Sequence, residues 1–131
     1  MAGEPLNHNV LIVEDDASLR KVMAGQLTRE GFSVWEAENG EEGLKIALKK
    51  YPHLILLDIM IPKMDGLTMM KKLRTESTWG KKVPIILLTN LSPDEQKVMN
   101  SITQDKPAYY LVKTNCDMAD IVAKVKETLK V

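Results

Sequence analysis

Leu56-Leu57-Asp58-Ile59-Met60-Ile61-Pro62-Lys63-Met64-Asp65-Gly66 ends an apolar run on a lone carboxylate and passes at once into turn residues. A run of this kind reads as a strand buried on both faces of a parallel sheet, and open α/β sheets bind their ligands beyond the carboxyl ends of such strands. An acid at that point is held rigidly yet reached by solvent. Asp58 is therefore a candidate site residue from the residues alone.

Working outward, five short apolar runs alternate with amphipathic stretches: Val10–Val13, Ser33–Glu36, Leu54–Leu57, Ile85–Leu88 and Tyr109–Val112. This (βα)5 order predicts an α/β domain with a parallel sheet covered on both faces, because right-handed crossovers place helices above and below it. Helix starts fit the frame. Ser92-Pro93-Asp94-Glu95 joins an N-cap serine, a proline in the first turn and a glutamate placed for a capping box. Asn39, Asp65 and Asp117 are further candidate caps. The first helix carries Leu19, Val22, Met23 and Leu27 at helical spacing, the third Leu67, Met70 and Leu73, and the last Met118, Ile121, Val122, Val125 and Leu129. At 131 residues the expectation is one domain over 1–131, with a core from about 8 to 130 and no output domain.

Eighteen basic and eighteen acidic residues leave no net charge, and no basic block suggests a nucleic-acid or membrane-surface binder. Cys116 is the only cysteine, so no internal disulfide can form, and a reducing compartment is expected. The apolar runs are far short of a membrane span and Met1-Ala2-Gly3-Glu4-Pro5 lacks the features of a signal peptide, so the expected location is the cytoplasm.

Val13-Glu14-Asp15-Asp16 places three acids directly after the first strand. Crowded carboxylates raise one another's pKa unless a cation compensates, and the plainest reading of Asp16 is an acid at a helix start. If the first and third strands are neighbours, Glu14, Asp15 and Asp58 converge, and such an oxygen-rich group suits Mg²⁺. His8 and His53 have no ligand-like spacing and read as surface or packing residues. Thr89 ends the fourth strand and Lys113 the fifth. An acid cluster, a nucleophilic carboxylate, a hydroxyl and a point-charge cation together describe a phosphoryl-transfer site.

With Glu14-Asp15, Asp58 in its loop, Thr89, Tyr110 and Lys113 in this order, the chain resembles a bacterial two-component response-regulator receiver domain of the stand-alone, chemotaxis-regulator-like kind, over nearly its whole length. The resemblance implies a flavodoxin-like fold with strand order 2-1-3-4-5. It implies that Asp58 accepts a phosphoryl group from the phosphohistidine of a sensor histidine kinase or histidine phosphotransfer protein. Asp15, Asp58 and the Ile59 backbone carbonyl would bind Mg²⁺, or alternatively Mn²⁺, with Glu14 acting through water. Lys113 and the metal would offset charge on the phosphoryl oxygens, and Thr89 and Tyr110 would form the switch. The face built from the fourth predicted helix, the fifth strand and the last helix would then change shape for a downstream protein partner. No turnover enzyme is implied, only assistance to the domain's own Mg²⁺-dependent phosphorylation and dephosphorylation. A monomer or a weak phosphorylation-dependent dimer is expected, without direct DNA or membrane binding.

The chain departs from the family pattern at several places. Thr114 follows Lys113 where the family usually has proline; a non-proline cis bond costs about 3–4 kcal/mol, so a trans bond or a visibly strained cis one is expected. Asn90 follows the switch hydroxyl where a small residue is usual, and with Met60 it is a candidate for tuning the acyl phosphate. Thr103–Ala108 replaces a glycine-alanine turn, and Pro107 should end the preceding helix. Met60, Met64, Met69 and Met70 read as adaptable core filling. Three other readings compete. An aspartyl phosphatase would want an acid where Met60 stands, and a flavin carrier would find Glu14-Asp15-Asp16 repelling its phosphate. A silent pseudo-receiver is opposed by the presence of Asp15, Asp58 and Lys113.

Overall fold

The computed structural model of the chain describes residues 8–90, 108–113 and 117–131. Five parallel strands form one sheet in the order β2-β1-β3-β4-β5: β1 (Asn9–Val13), β2 (Ser33–Ala37), β3 (Leu54–Asp58), β4 (Ile85–Thr89) and β5 (Ala108–Val112). The expected flavodoxin-like order is the observed one, and each strand agrees with its apolar run to within a residue or two at its ends.

Alternation along the strands divides the interior into two layers. Val10, Ile12, Leu54, Leu56, Ile86 and Leu88 face one way, against Met23 and Leu27 of α1 (Ala17–Arg29) and Ile121, Val122 and Val125 of the last helix. Leu11, Val13, Ile55, Leu57, Ile85 and Leu87 face the other way, against Ala47 of α2 (Gly40–Lys50) and Met69 and Leu73 of α3 (Gly66–Glu76). With period two on each strand, a strand covered on both faces must be apolar along its covered length, which is the pattern of β1 from Val10, of β3 up to Asp58 and of β4 up to Thr89.

Helix starts follow the capping rule that a side-chain oxygen accepts from a backbone N–H two or three residues into the helix. Asn39 accepts from Glu42 N, Asp65 from Thr68 N and Asp16 from Leu19 N. Asp117 and Asp120 form a reciprocal capping box at the start of the last helix (Met118–Leu129). A short helix absent from the expectations, α4 (Thr78–Lys82), lies between α3 and β4, and among the described residues the last helix is numbered α5. Ser77 Oγ caps α4 by accepting from Gly80 N at 2.8 Å, and Arg74 Nη1 donates to the carbonyls of Gly80 and Val83, both at 2.7 Å.

Two expectations for buried residues are corrected. Val22 is 55% exposed, because the buried stripe of α1 runs through Met23, Ala24 and Leu27 and leaves Val22 on its outer flank. Met69 and Met70 are buried and Met64 half-buried, as core filling requires, but Met60 is 76% exposed on the loop after β3. His8 and His53 pack edge-on, with ring centroids 5.1 Å apart. The cap at Ser92, the Thr103–Pro107 stretch, the Lys113–Thr114 peptide and Cys116 lie outside the described residues. Among those described, no helix is long and apolar enough to cross a membrane.

Candidate functional site

Because β1 and β3 are neighbours at the centre of the sheet, their carboxyl ends bring Glu14 and Asp58 side by side. Glu14 continues the alternation of Val10 and Ile12, and Asp58 that of Leu54 and Leu56. Lys113 follows Tyr109 and Leu111 in the same phase. All three reach the same layer of the molecule, and the ammonium closes the gap between strands that are not adjacent. Lys113 Nζ donates to Glu14 Oε1 at 2.8 Å and to Asp58 Oδ2 at 2.9 Å.

The bridge is buried at its acidic end. The Glu14 side chain is 1% exposed and that of Asp58 6%, against 21% for Lys113. Burial pushes the Glu14 carboxyl up to about 7, and its hydrogen bond and charge interaction with Asp58 push the same way against the pull of Lys113. Burial alone would lower the Lys113 pKa, but the two carboxylates outweigh it and the pKa is raised. Asp15 stays exposed at the rim. One carboxylate oxygen from each of Glu14, Asp15 and Asp58 can be chosen so that all three lie within 4.8 Å of one another. Such a set of hard oxygen donors fits a divalent cation that prefers oxygen ligands.

The loop after β3 fixes the other Asp58 oxygen, since Met60 N donates to Oδ1 at 3.1 Å. In a trans peptide the N–H and the preceding C=O point in opposite directions. The Ile59 carbonyl, expected as a metal ligand, therefore turns away from Asp58 and accepts from Gly66 N at 3.0 Å and Ile61 N at 3.2 Å. With both lone pairs engaged it is not placed to serve as a ligand. Gly66 is needed for this close approach: a Cβ there would stand 2.5 Å from the Asp58 carbonyl oxygen and 2.9 Å from Ile59 Cα.

Thr89 is 1% exposed at the end of β4, in the same phase as Ile85 and Leu87. Tyr110 is the register partner of Leu87 and packs on that layer, so Thr89 and Tyr110 lie diagonally across β4 and β5, with Thr89 one residue beyond Leu88, the register partner of Asp58. Asn90 and Met60 are exposed on the two loops that follow β4 and β3. Arg20, which the sequence reading passed over, donates through Nη1 to the Glu14 carbonyl at 2.8 Å. Its only sequence signal is a basic residue four positions after Asp16, the N-cap of α1.

A family model described as "Response regulator receiver domain" matches residues 10–126. Transcriptional regulatory protein SrrA of Staphylococcus aureus (strain NCTC 8325 / PS 47) is 34% identical over 127 residues, 95% of this chain and 49% of that protein. The probable transcriptional regulator ycf27 of Porphyra purpurea is 46% identical over 88 residues, 67% of this chain and 35% of that protein. The chain thus spans between a third and a half of the length of these curated relatives. The solved structure of chemotaxis response regulator CheY4 of Vibrio cholerae superposes with a TM-score of 0.80 at 26% identity, covering 92% of this chain and 98% of that one. With the parallel 2-1-3-4-5 sheet and the acidic cluster at its carboxyl edge, these matches show that the chain belongs to the receiver-domain family of two-component response regulators.

Proposed function

We propose that this chain is a phosphoacceptor receiver in which Asp58 takes a phosphoryl group from the phosphohistidine of a sensor histidine kinase or histidine phosphotransfer protein. The observation that carries this reading is the buried Asp58 carboxylate, held on one oxygen by Met60 N and on the other by Lys113 Nζ. In the transfer an Asp58 oxygen forms the new bond to phosphorus, and the P–N bond breaks with its electron pair going to the donor imidazole. Lys113 stands where charge on the phosphoryl oxygens must be offset. Mg²⁺, or Mn²⁺ in its place, would supply the remaining positive charge, held by Asp15, Asp58 and, through water, Glu14.

Thr89 would hydrogen-bond the phosphoryl group and Tyr110 would follow it, which changes the surface around β5 for a protein partner. Met60 and Asn90, exposed at the rim, would set how readily water reaches the acyl phosphate. Residues 1–131 acting as a single cytoplasmic receiver, monomeric or weakly dimeric, complete the proposal. Its test is the intact mass after incubation with acetyl phosphate. One added phosphoryl group with Mg²⁺, none without it, and its mapping to the Asp58 peptide are expected. No gain with either acetyl phosphate or a phosphorylated histidine donor would sink the reading.

The raised Glu14 pKa makes the site pH-dependent. Between the ordinary value of 4.5 and about 7 the folded chain keeps a proton that the unfolded chain has lost, so stability falls as pH rises through that window. A cation competes with the same proton. Mg²⁺ affinity, followed by titration calorimetry, is therefore expected to rise about tenfold from about pH 6 to about pH 8. A flat profile would show that Glu14 is already ionised across the range.

A further inference from the structure

Arg20 sits in the first turns of α1 with its side chain only 12% exposed, and its guanidinium joins two elements that the chain order keeps apart. Nη1 donates to the Glu14 carbonyl at 2.8 Å and Nε donates to Glu36 Oε1 at 3.2 Å. Glu36 belongs to β2 and is also paired with Lys21 at 3.1 Å. On its other side Glu14 donates its own N–H to the Ala37 carbonyl of β2 at 3.0 Å. Both backbone polar groups of Glu14 are thus tied to the edge strand, one directly and one through the guanidinium.

We infer that Arg20, held by Glu36, is a positioning residue for the cation site, fixing the turn that carries Glu14 and Asp15 against β2. The inference rests on the proposed function in that these acids are taken to hold a divalent cation. The planar fork of arginine suits the role, since one guanidinium reaches a carbonyl and a carboxylate in fixed geometry whereas a lysine ammonium is a point charge on a flexible stem. The sign of the effect separates positioning from electrostatics. A cationic side chain near a cation site repels the ion, so removing Arg20 for its charge alone would tighten Mg²⁺ binding. Removing it as a positioning residue loosens the acids and weakens binding, and outer-shell partners of this kind are worth about tenfold or more in metal affinity.

The test is Mg²⁺ titration calorimetry on Arg20→Ala, Arg20→Lys and Glu36→Gln beside the wild type, with hydrogen–deuterium exchange of the Asp15–Asp16 peptide in metal-free protein. Expected are about tenfold weaker Mg²⁺ binding by Arg20→Ala, smaller losses in the same direction for the other two, and faster exchange in the turn for all three. The loss in Arg20→Lys, which keeps the charge, belongs to geometry. Should Arg20→Ala fail to fold, Arg20→Lys carries the Mg²⁺ test, and Glu36→Gln, which also removes a negative charge, is read through the exchange of the turn in metal-free protein. Unchanged or tighter Mg²⁺ binding in these variants, while the wild type binds Mg²⁺, would overturn the inference and leave the cation reading standing. A wild type that binds no Mg²⁺ would instead remove the cation reading and the inference with it.

Discussion

Asp58→Asn is expected to reduce phosphoryl gain from acetyl phosphate to background while leaving the fold intact. The amide has nearly the shape of the carboxylate, and its carbonyl oxygen can still accept from Met60 N, the bond that ties β3 to the following loop. Its nitrogen carries no charge and is a poor nucleophile toward phosphorus, so the transfer has no acceptor. The stability effect should be small for a definite reason. Asp58 is one of two buried carboxylates sharing a single ammonium, and its presence helps to raise the Glu14 pKa. Neutralising Asp58 removes that repulsion and leaves Lys113 paired with Glu14, while the amide nitrogen, a donor in place of Oδ2, makes the ammonium shift toward Glu14, so the pair lost and the repulsion relieved oppose each other. Intact mass and thermal unfolding on the same sample check both halves. A mass gain equal to that of the wild type would move the acceptor to another residue, with the exposed Asp15 first in line.

Lys113→Ala should have the largest effect on stability, and an effect whose size depends on pH. Removing one partner of a buried ion pair leaves the other uncompensated, at a cost of about 3–5 kcal/mol when burial is complete. Here the ammonium end is partly exposed and water can enter the vacated space, so about 3 kcal/mol, the lower end, is expected at pH 8. Near pH 5 the cost should shrink, because Glu14 without its ammonium titrates still higher and faces Asp58 as a neutral acid. Saturating Mg²⁺ should restore the variant more than it stabilises the wild type, since the ion replaces the missing positive charge. Phosphorylation should slow about a hundredfold, the usual loss when one stabilising donor is removed from developing oxyanion charge. Urea unfolding at the two pH values, with and without Mg²⁺, reads the stability effect. A cost equal at both pH values would make Lys113 a packing residue rather than a counter-charge.

Much of this arrangement is legible in the order of the residues. Apolar runs of four residues separated by amphipathic helices allow few parallel arrangements, and each strand's alternation specifies which residues share a layer. Asn39, Asp65 and Asp117 announced their helices because capping is a contact between residues three apart. By the same logic Asp16 reads as a cap, whereas Glu14, two residues earlier, is a buried partner of Lys113. The two are hard to tell apart as letters. They differ because Glu14 is in phase with the buried residues of β1 and Asp16 already belongs to α1.

Where structure and sequence part, the cause is long-range. Family resemblance points to Ile59 as a ligand, but the direction of a carbonyl depends on how its peptide plane is turned, and the Met60 hydrogen bond to Asp58 turns this one away. Residue type and proximity point to a core role for Met60, yet the loop carries it outward. The short helix α4 depends on Arg74 reaching two carbonyls across a bend. Arg20 acquires its meaning only when Glu36 is brought to it from the neighbouring strand.

Hydrophobic periodicity and capping specify the parallel sheet, its two layers and the set of side chains gathered at its carboxyl edge, because they act over a few residues and are written in their order. Which of those groups touch, that the Ile59 carbonyl turns from the site, how deeply Glu14 is buried and how far its pKa rises follow from the folded arrangement alone. Those quantities depend on distances between residues far apart in the chain, and a change of an ångström or the turn of one peptide plane alters them without altering any local pattern.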